Sequence, residues 1–398
     1  MTIDNIPIKK ITDSLLTWIE EQNYRGWDPF DALNSPYLKR IGQLSRWGGI
    51  IALQLVKRCP LNLRPILGIQ KKTNAKGMGL ILMASVRLYR KFERIEDMNR
   101  AVRLAEWLMT NRSNGYSGAA WGYPFDWSNR GFYAPQNTPT IVNTAFIGHA
   151  LLDLFESTGT KEWLSIAVSS CDFIIKDLNR TSDENGICFS YTPLDEAQVY
   201  NASLLGSSLL ARVGRLVSNS EYLETAEASL KYCLYAQKKD GSWPYGKKTR
   251  SAWIDSFHTS YNLIALKYLF KAFNRDDIEG SINRGYDFYL KNFFEDDGTV
   301  KYYNNKKDPQ DVHVYANAIL FLTDMKCHPS TPGGLAEKVV KQMIRRFWSG
   351  KGYFYWQKKY GITYRLPCMR WVEAWALFAL VSYLTSYGFI INEADNFK

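Results

Sequence analysis

The segment Asp255-Ser256-Phe257-His258-Thr259-Ser260-Tyr261-Asn262 puts a carboxylate, an imidazole and a phenol in one short run. His258 and Tyr261 are three residues apart and share one face if the run is helical. Such a pair could take and give protons, as elimination from a polysaccharide requires, or hydrogen-bond sugar hydroxyls. Asp255 also suits a helix N-cap, which accounts for the acid but not for the histidine. A second constellation is Trp121-Gly122-Tyr123-Pro124-Phe125-Asp126-Trp127, followed by Arg130. An acid held among rings can grip a sugar hydroxyl while the rings stack on the sugar, and partial desolvation raises its pKa toward that of a general acid. The plain alternative is a structural hairpin with Asp126 exposed.

A third group lies in Tyr364-Arg365-Leu366-Pro367-Cys368-Met369-Arg370-Trp371-Val372-Glu373-Ala374-Trp375. Arg370 and Glu373 are three apart in a run apolar enough to be buried, where charges are rare unless paired or functional. They could form an ion pair. Glu373 could instead face Asp126 or Asp255 across a cleft, the two-carboxylate layout of glycoside hydrolysis. Near the start, Gly26-Trp27-Asp28-Pro29-Phe30-Asp31 holds two more acids, which read equally as turn formers. Asp311 and His313 repeat the acid–histidine theme more loosely.

These residues need a frame, and a repeat supplies one. Apolar helices open with Asn143, Asn201, Asn262, Asn317 and Glu373 in one recurring slot, at steps of 58, 61, 55 and 56 residues. A fixed period of this size marks a repeat architecture. Helices apolar nearly all round fall at 76–90, 141–156, 199–214, 260–273, 314–324 and 371–386. Amphipathic ones fall at 94–111, 161–178, 221–238, 278–293 and 334–348, and either 8–22 or 40–58 could add a sixth. All-round apolar helices are buried and amphipathic ones lie outside. The expected fold is all-α: an (α/α)6 toroid with short β-hairpins in the long loops on one rim. Residues 1–60 would pack on or complete the ring and 61–398 would form it, as one domain overall.

On that rim the polar helix openings converge. The expected catalytic set is Asp126, Asp255, His258, Tyr261 and Glu373. Trp121, Tyr123, Trp243 and Trp371 would stack on sugars. Arg130, Arg365 and Arg370 would hold a carboxylate, for which the guanidinium fork is suited. Asn143, Asn201, Asn262, His313 and Tyr315 would contribute further polar contacts at the openings.

Composition narrows the partners. Thirteen Trp, 25 Tyr and 20 Phe make 15% of the chain, which suits stacking on a glycan or packing of loops. The net charge of +11 favours an anionic partner, while no zinc finger, RNP sequence or helix-turn-helix points to nucleic acid. No apolar run is long enough for a transmembrane span, and the N-terminus lacks a secretory core, so a cytoplasmic protein is expected. The six cysteines have no CxxC pair and read as buried thiols. GxGxxG, P-loop, HExxH and GxSxG motifs are missing and there are four histidines, so neither cofactor nor metal is expected.

The motifs GWDPFDALNS at 26–35, WGYPFDW at 121–127, DSFHTSYN at 255–262 and RWVEAWAL at 370–377 resemble those of six-hairpin glycosidase-type toroids. Among these the chain resembles the VpsJ-like proteins of bacterial exopolysaccharide and capsule clusters. That resemblance implies a glycan-active protein, hydrolysing or eliminating within a polysaccharide or oligosaccharide, with association to the biosynthesis machinery; the +11 charge favours an acidic chain. A non-catalytic glycan-binding or assembly protein on the same fold is the alternative. Gln237-Lys238-Lys239-Asp240-Gly241-Ser242-Trp243 resembles the Q-x3-G-x-W element of squalene cyclases and prenyltransferase β subunits. It occurs once, and the acidic DxDD motif is absent; a terpenoid cyclase is the weakest reading.

Overall fold

The structure, a computed structural model, describes residues 7–128, 133–326, 328 and 330–387. Six helices form an inner ring: α4 (Ala75–Phe92), α6 (Ile141–Thr158), α8 (Tyr200–Val217), α10 (Ser256–Phe273), α12 (Val312–Asp324) and α14 (Ala374–Tyr387). Each touches the next, and α14 returns to α4, closing the circle. Six amphipathic helices lie outside: α1 (Ile8–Glu21), α5 (Ile95–Thr110), α7 (Lys161–Lys176), α9 (Ser220–Tyr235), α11 (Asp276–Phe293) and α13 (Leu335–Phe347). The expected (α/α)6 toroid is therefore the fold. The apolar side chains of both rings form one continuous core, because the inner helices are buried all round and the outer ones only on the inward face.

Helix α1 takes the sixth outer position. Its Ile11, Leu15 and Ile19 are buried, it packs against α14, and Trp18 meets Tyr353 at 5.2 Å. The alternative segment instead forms a separate hairpin, α2 (Leu38–Leu44) and α3 (Arg46–Arg58). Gly42 and Gly49 let these two cross closely: a Cβ on Gly49 would lie 3.0 Å from the Gly42 Cα. Their inner face makes a small second core with Ala32, Leu53, Val56 and Ile69.

The loops carry less strand than the sequence suggests. Of the loop turns at Gly115, Gly186, Gly241, Gly298 and Gly350 to Gly352, the one at Gly186 closes a hairpin of strands, Arg180–Asp183 with Gly186–Phe189. Three other sheets lie elsewhere: Arg25–Gly26 with Lys72–Thr73, Trp127–Ser128 with Tyr133–Ala134, and Gln310–Asp311 with Gln357–Lys359 and Ile362–Tyr364. Gly241, Gly298 and Gly352 make turns that rest on the next outer helix, against Arg284, Lys338 and Trp18. Cys59, Cys171, Cys188, Cys233 and Cys368 are free thiols, all buried except the half-buried Cys59; Cys327 lies outside the described residues.

Candidate active site

A cavity of about 890 Å3 occupies the end of the ring where the inner helices begin. Lys76, Val142, Asn201 and His258, from the first turns of α4, α6, α8 and α10, line it. Arg370 and Trp371 come from a π-helical turn, Met369–Glu373, that leads into α14. Such turns widen the helix and re-aim side chains, and they recur at functional sites. The walls are completed by loops carrying Tyr123, Tyr191 and Tyr245, and by Phe30 and Leu53 from the N-terminal segment. Converging helix N-termini give this end of the ring positive potential.

Asp255, His258 and Tyr261 all line the cavity. Asp255 is the N-cap of α10: its Oδ1 accepts from the His258 N–H at 2.9 Å. Its Oδ2 meets His258 Nδ1 at 2.7 Å and accepts from Trp253 Nε1 at 3.0 Å. One carboxylate thus starts the helix and orients the ring. A carboxylate oxygen accepts, so His258 Nδ1 is the donor of this bond, and in the neutral ring that leaves the lone pair on Nε2. The imidazole is wedged between Phe257 at 4.0 Å and Tyr245 at 4.6 Å and remains one-fifth exposed.

Tyr261 sits one turn further along α10, its ring centroid 6.0 Å from that of His258. Its hydroxyl donates to His313 Nε2 at 3.1 Å, a direction fixed because His313 Nδ1 faces the Trp371 carbonyl at 3.2 Å and must donate to it. Burial pushes the Tyr261 phenol well above its usual range and holds His313 well below its own. Lys76 and Arg370 push His313 the same way. Tyr261 is therefore a protonated phenol with a neutral imidazole behind it. His313 stacks on Trp371 at 4.1 Å and lies behind the cavity wall.

Two basic side chains form the floor. Arg370 makes a bidentate pair with Asp28, at 2.6 and 2.8 Å, rather than with Glu373. Asp31, the second acid of the N-terminal motif, is held by Arg64 at 2.8 Å. Burial outweighs that guanidinium and pushes the Asp31 carboxyl up to about 6. Lys76 is 3% exposed and sits 4.3 Å above the Phe146 ring and 5.3 Å from those of Tyr261 and Trp375. Among the described residues no acid pairs with it, and burial drops its amine well below the ordinary lysine range, with Arg370 adding to the drop and Asp28 opposing it. The sequence reading passed over Lys76, although a lone charge in the run Ala75-Lys76-Gly77-Met78-Gly79-Leu80 is the same signal that marked Arg370.

Other expected residues lie elsewhere. Asp126 does not line the cavity; its carboxylate accepts from the Tyr133 hydroxyl and the Gln136 N–H, both at 2.7 Å, and so ties its own loop. Glu373 is fully buried beside the Phe354 N–H, which donates to Oε2 at 3.0 Å, and burial holds its carboxyl well above the usual range. Trp121 and Trp243 are core residues, donating to the Leu108 and Cys233 carbonyls. Tyr315 is buried on Gln310, and Arg365 is exposed beside Tyr355. Of the slot residues Asn201 lines the cavity, while Asn143, Asn262 and Asn317 face the ring interior. Tyr123 and Trp371 do line it, and Arg130 lies outside the described residues. The cavity therefore lacks two free carboxylates facing each other among the described residues. Asp195 is consumed by its own loop, accepting from Thr192 N and Ala197 N at 2.7 and 2.8 Å. Among the described residues no group of His, Cys, Asp and Glu could hold a metal ion.

No protein-family model matches the chain, and no curated protein matches its sequence. Solved structures do share its fold. A sugar epimerase from a ruminal bacterium superposes with a TM-score of 0.61 at 15% identity, covering 81% of this chain and 90% of its own. A GH76 α-mannanase from Bacteroides thetaiotaomicron gives 0.60 at 11% identity, with 78% and 86% covered. An unsaturated glucuronyl hydrolase from Streptococcus agalactiae gives 0.60 at 10% identity, with 94% and 91% covered.

Proposed function

We propose that this protein acts on an acidic glycan by abstracting a proton from a sugar carbon, the chemistry of elimination. The observation that carries this reading is the Asp255–His258 pair on the cavity wall, with Nε2 of His258 free to act as a base. His258 Nε2 takes the proton next to the uronate carboxylate, and Asp255 stabilises the imidazolium that results. The electron pair left behind forms the C=C bond as the neighbouring C–O bond breaks. Tyr261, turning from His313, gives its proton to the departing oxygen. The 6.0 Å between the two rings suits groups acting on adjacent carbons.

The electrostatics support an anionic substrate. Arg58, Lys76, Lys248, Arg250 and Arg370 line the cavity, against Asp195, Glu196 and Asp255. Arg370 and Lys76 would receive the carboxylate, and Tyr123 and Trp371 would stack on the ring. Hydrolysis by paired carboxylates finds less support, because Asp126 and Glu373 are both engaged away from the cavity. A terpenoid cyclase would need a strong acid where this cavity has cations. The fold neighbours named as an epimerase, a mannanase and a glucuronyl hydrolase all act on sugars, which supports a glycan as substrate class. A role in exopolysaccharide or capsule production, in the cytoplasm, draws its support from the four sequence motifs.

The test is absorbance of the unsaturated uronate at roughly 235 nm on a panel of acidic polysaccharides. The wild type should produce it on at least one member, and His258→Ala should lose about 100-fold or more. If glycans bind but none is cleaved, and His258→Ala binds equally well, the protein is a glycan-binding module and the enzymatic reading fails.

A further inference from the structure

From residue 32 to residue 92 the chain contains no Asp or Glu and twelve Lys or Arg. Within this stretch lies the α2–α3 hairpin, outside the ring and beside the cavity mouth. Its inner face is accounted for: Ala52, Leu53 and Val56 are buried, and Ile50 and Leu53 line the cavity. Its outer face is not. Leu44, Trp47, Ile51 and Leu55 are 88%, 59%, 59% and 68% exposed, and Leu61 and Ile66 follow at 71% and 81%. Trp47, Ile51 and Leu55 are spaced by four, so they form one stripe along α3. Eight of the 18 large apolar side chains exposed among the described residues fall between Tyr37 and Ile66. Scattered exposed apolar residues are ordinary, but a contiguous set marks an interaction surface.

We propose that this hairpin docks the protein on an anionic phospholipid surface. Charge complementarity selects this occupant. Lys39, Arg40 and Arg46 lie on the same hairpin, which itself holds no acidic residue; Lys39 comes within 4.0 Å of the Asp126 carboxylate, and its side chain remains 46% exposed. An apolar stripe with tryptophan, bordered by cations, is the chemistry of a helix lying in a bilayer interface. A second copy of this chain would bring the same positive field against itself. No helix among the described residues is long and apolar enough to cross a membrane, so the contact is peripheral. Docking here would set the cavity mouth beside headgroups, where a glycan carried on or near the membrane would reach it. The inference stands on the hairpin and is independent of the reaction.

The test is sedimentation of the full chain with vesicles of phosphatidylcholine, with or without about one-third phosphatidylglycerol. Retention on the anionic vesicles should exceed that on neutral ones by about tenfold and fall as salt is raised. Trp47→Ser/Ile51→Ser should abolish it, and Lys39→Gln/Arg40→Gln/Arg46→Gln should weaken it and flatten its salt dependence. Leu44→Ser, at the most exposed position, gives the same reading if the double variant misfolds. No retention, equal retention on neutral vesicles, or binding unchanged in these variants would overturn the proposal. So would a dimer at micromolar concentration that the same apolar variants dissolve, since the face would then cover a second copy.

Discussion

At the scale of single residues, the site is decided by which charges are already spent. Asp126, Asp195 and Asp28 are bound by their own loops or by an arginine, whereas Lys76 is buried with rings around it and, among the described residues, no acid paired to it. A carboxylate arriving beside such an amine would draw a proton onto it and gain a charge-assisted bond. Lys76→Met, which keeps the bulk and removes the amine, should therefore raise KM for an acidic glycan by about 10- to 100-fold and change kcat less. An unchanged KM would take Lys76 out of the binding set. Glu373 behaves in the opposite way. Its folded pKa is raised by burial, so it weakens the fold as pH rises above the unfolded carboxyl range near 4.3. Glu373→Gln should raise Tm at pH 7 by about 1 °C per kcal/mol gained, with an advantage that shrinks as pH falls toward about 4.3. Loss of activity in a variant that melts higher would return Glu373 to the catalytic set.

At the scale of elements, the helices were legible because their burial is written in their composition. The run from Ala374 to Tyr387 has no charged residue and could only be inside; the run from Leu335 to Phe347 has a charged face and could only be outside. The loops were less legible. Their glycines signal turns, but a turn does not say what it rests on. The structure gives that answer repeatedly. A Cβ on Gly186 would lie 2.1 Å from the Ala228 carbonyl on α9, and one on Gly241 2.1 Å from the Arg284 carbonyl on α11. Gly352 repeats the contact against Ser14 and Trp18 of α1, which marks α1 as the member that completes the outer ring. These glycines let each long loop lie flat on the next outer helix. Gly241 also has φ +90°, so Gly241→Ala adds a clash to a strained backbone and should cost roughly 2–4 kcal/mol in a denaturant melt. A cost under about 0.5 kcal/mol would mean that the loop is free to lift.

At the scale of the whole molecule, the two ends of the chain meet at the site, and this was the part least legible in sequence. Asp28 and Arg370 are 342 residues apart, and nothing local to either says they pair; Arg370 with Glu373 looked the nearer match. Pairing with Glu373 fails because the π-helical turn sends the guanidinium to the cavity floor and leaves Glu373 in the core. Further contacts tie the same ends: Trp27 bridges Cys368, and the Tyr364 hydroxyl donates to the Arg58 carbonyl. The floor of the cavity is thus built only when the 26–31 segment has closed on the π-helical turn before α14. Asp28→Asn would leave Arg370 buried without its counter-ion, at a cost of about 3–5 kcal/mol, or about 4–6 °C in Tm for a chain of this size. Asp28→Asn/Arg370→Gln removes both charges and should be more stable than Asp28→Asn alone. If the pair closes the ring as a unit, secondary-structure and aromatic signals of Asp28→Asn will still melt together, at the lower temperature. Costs that simply add in the double variant, or a separate early transition of the N-terminal segment, would show that the chain ends touch at the site without holding it.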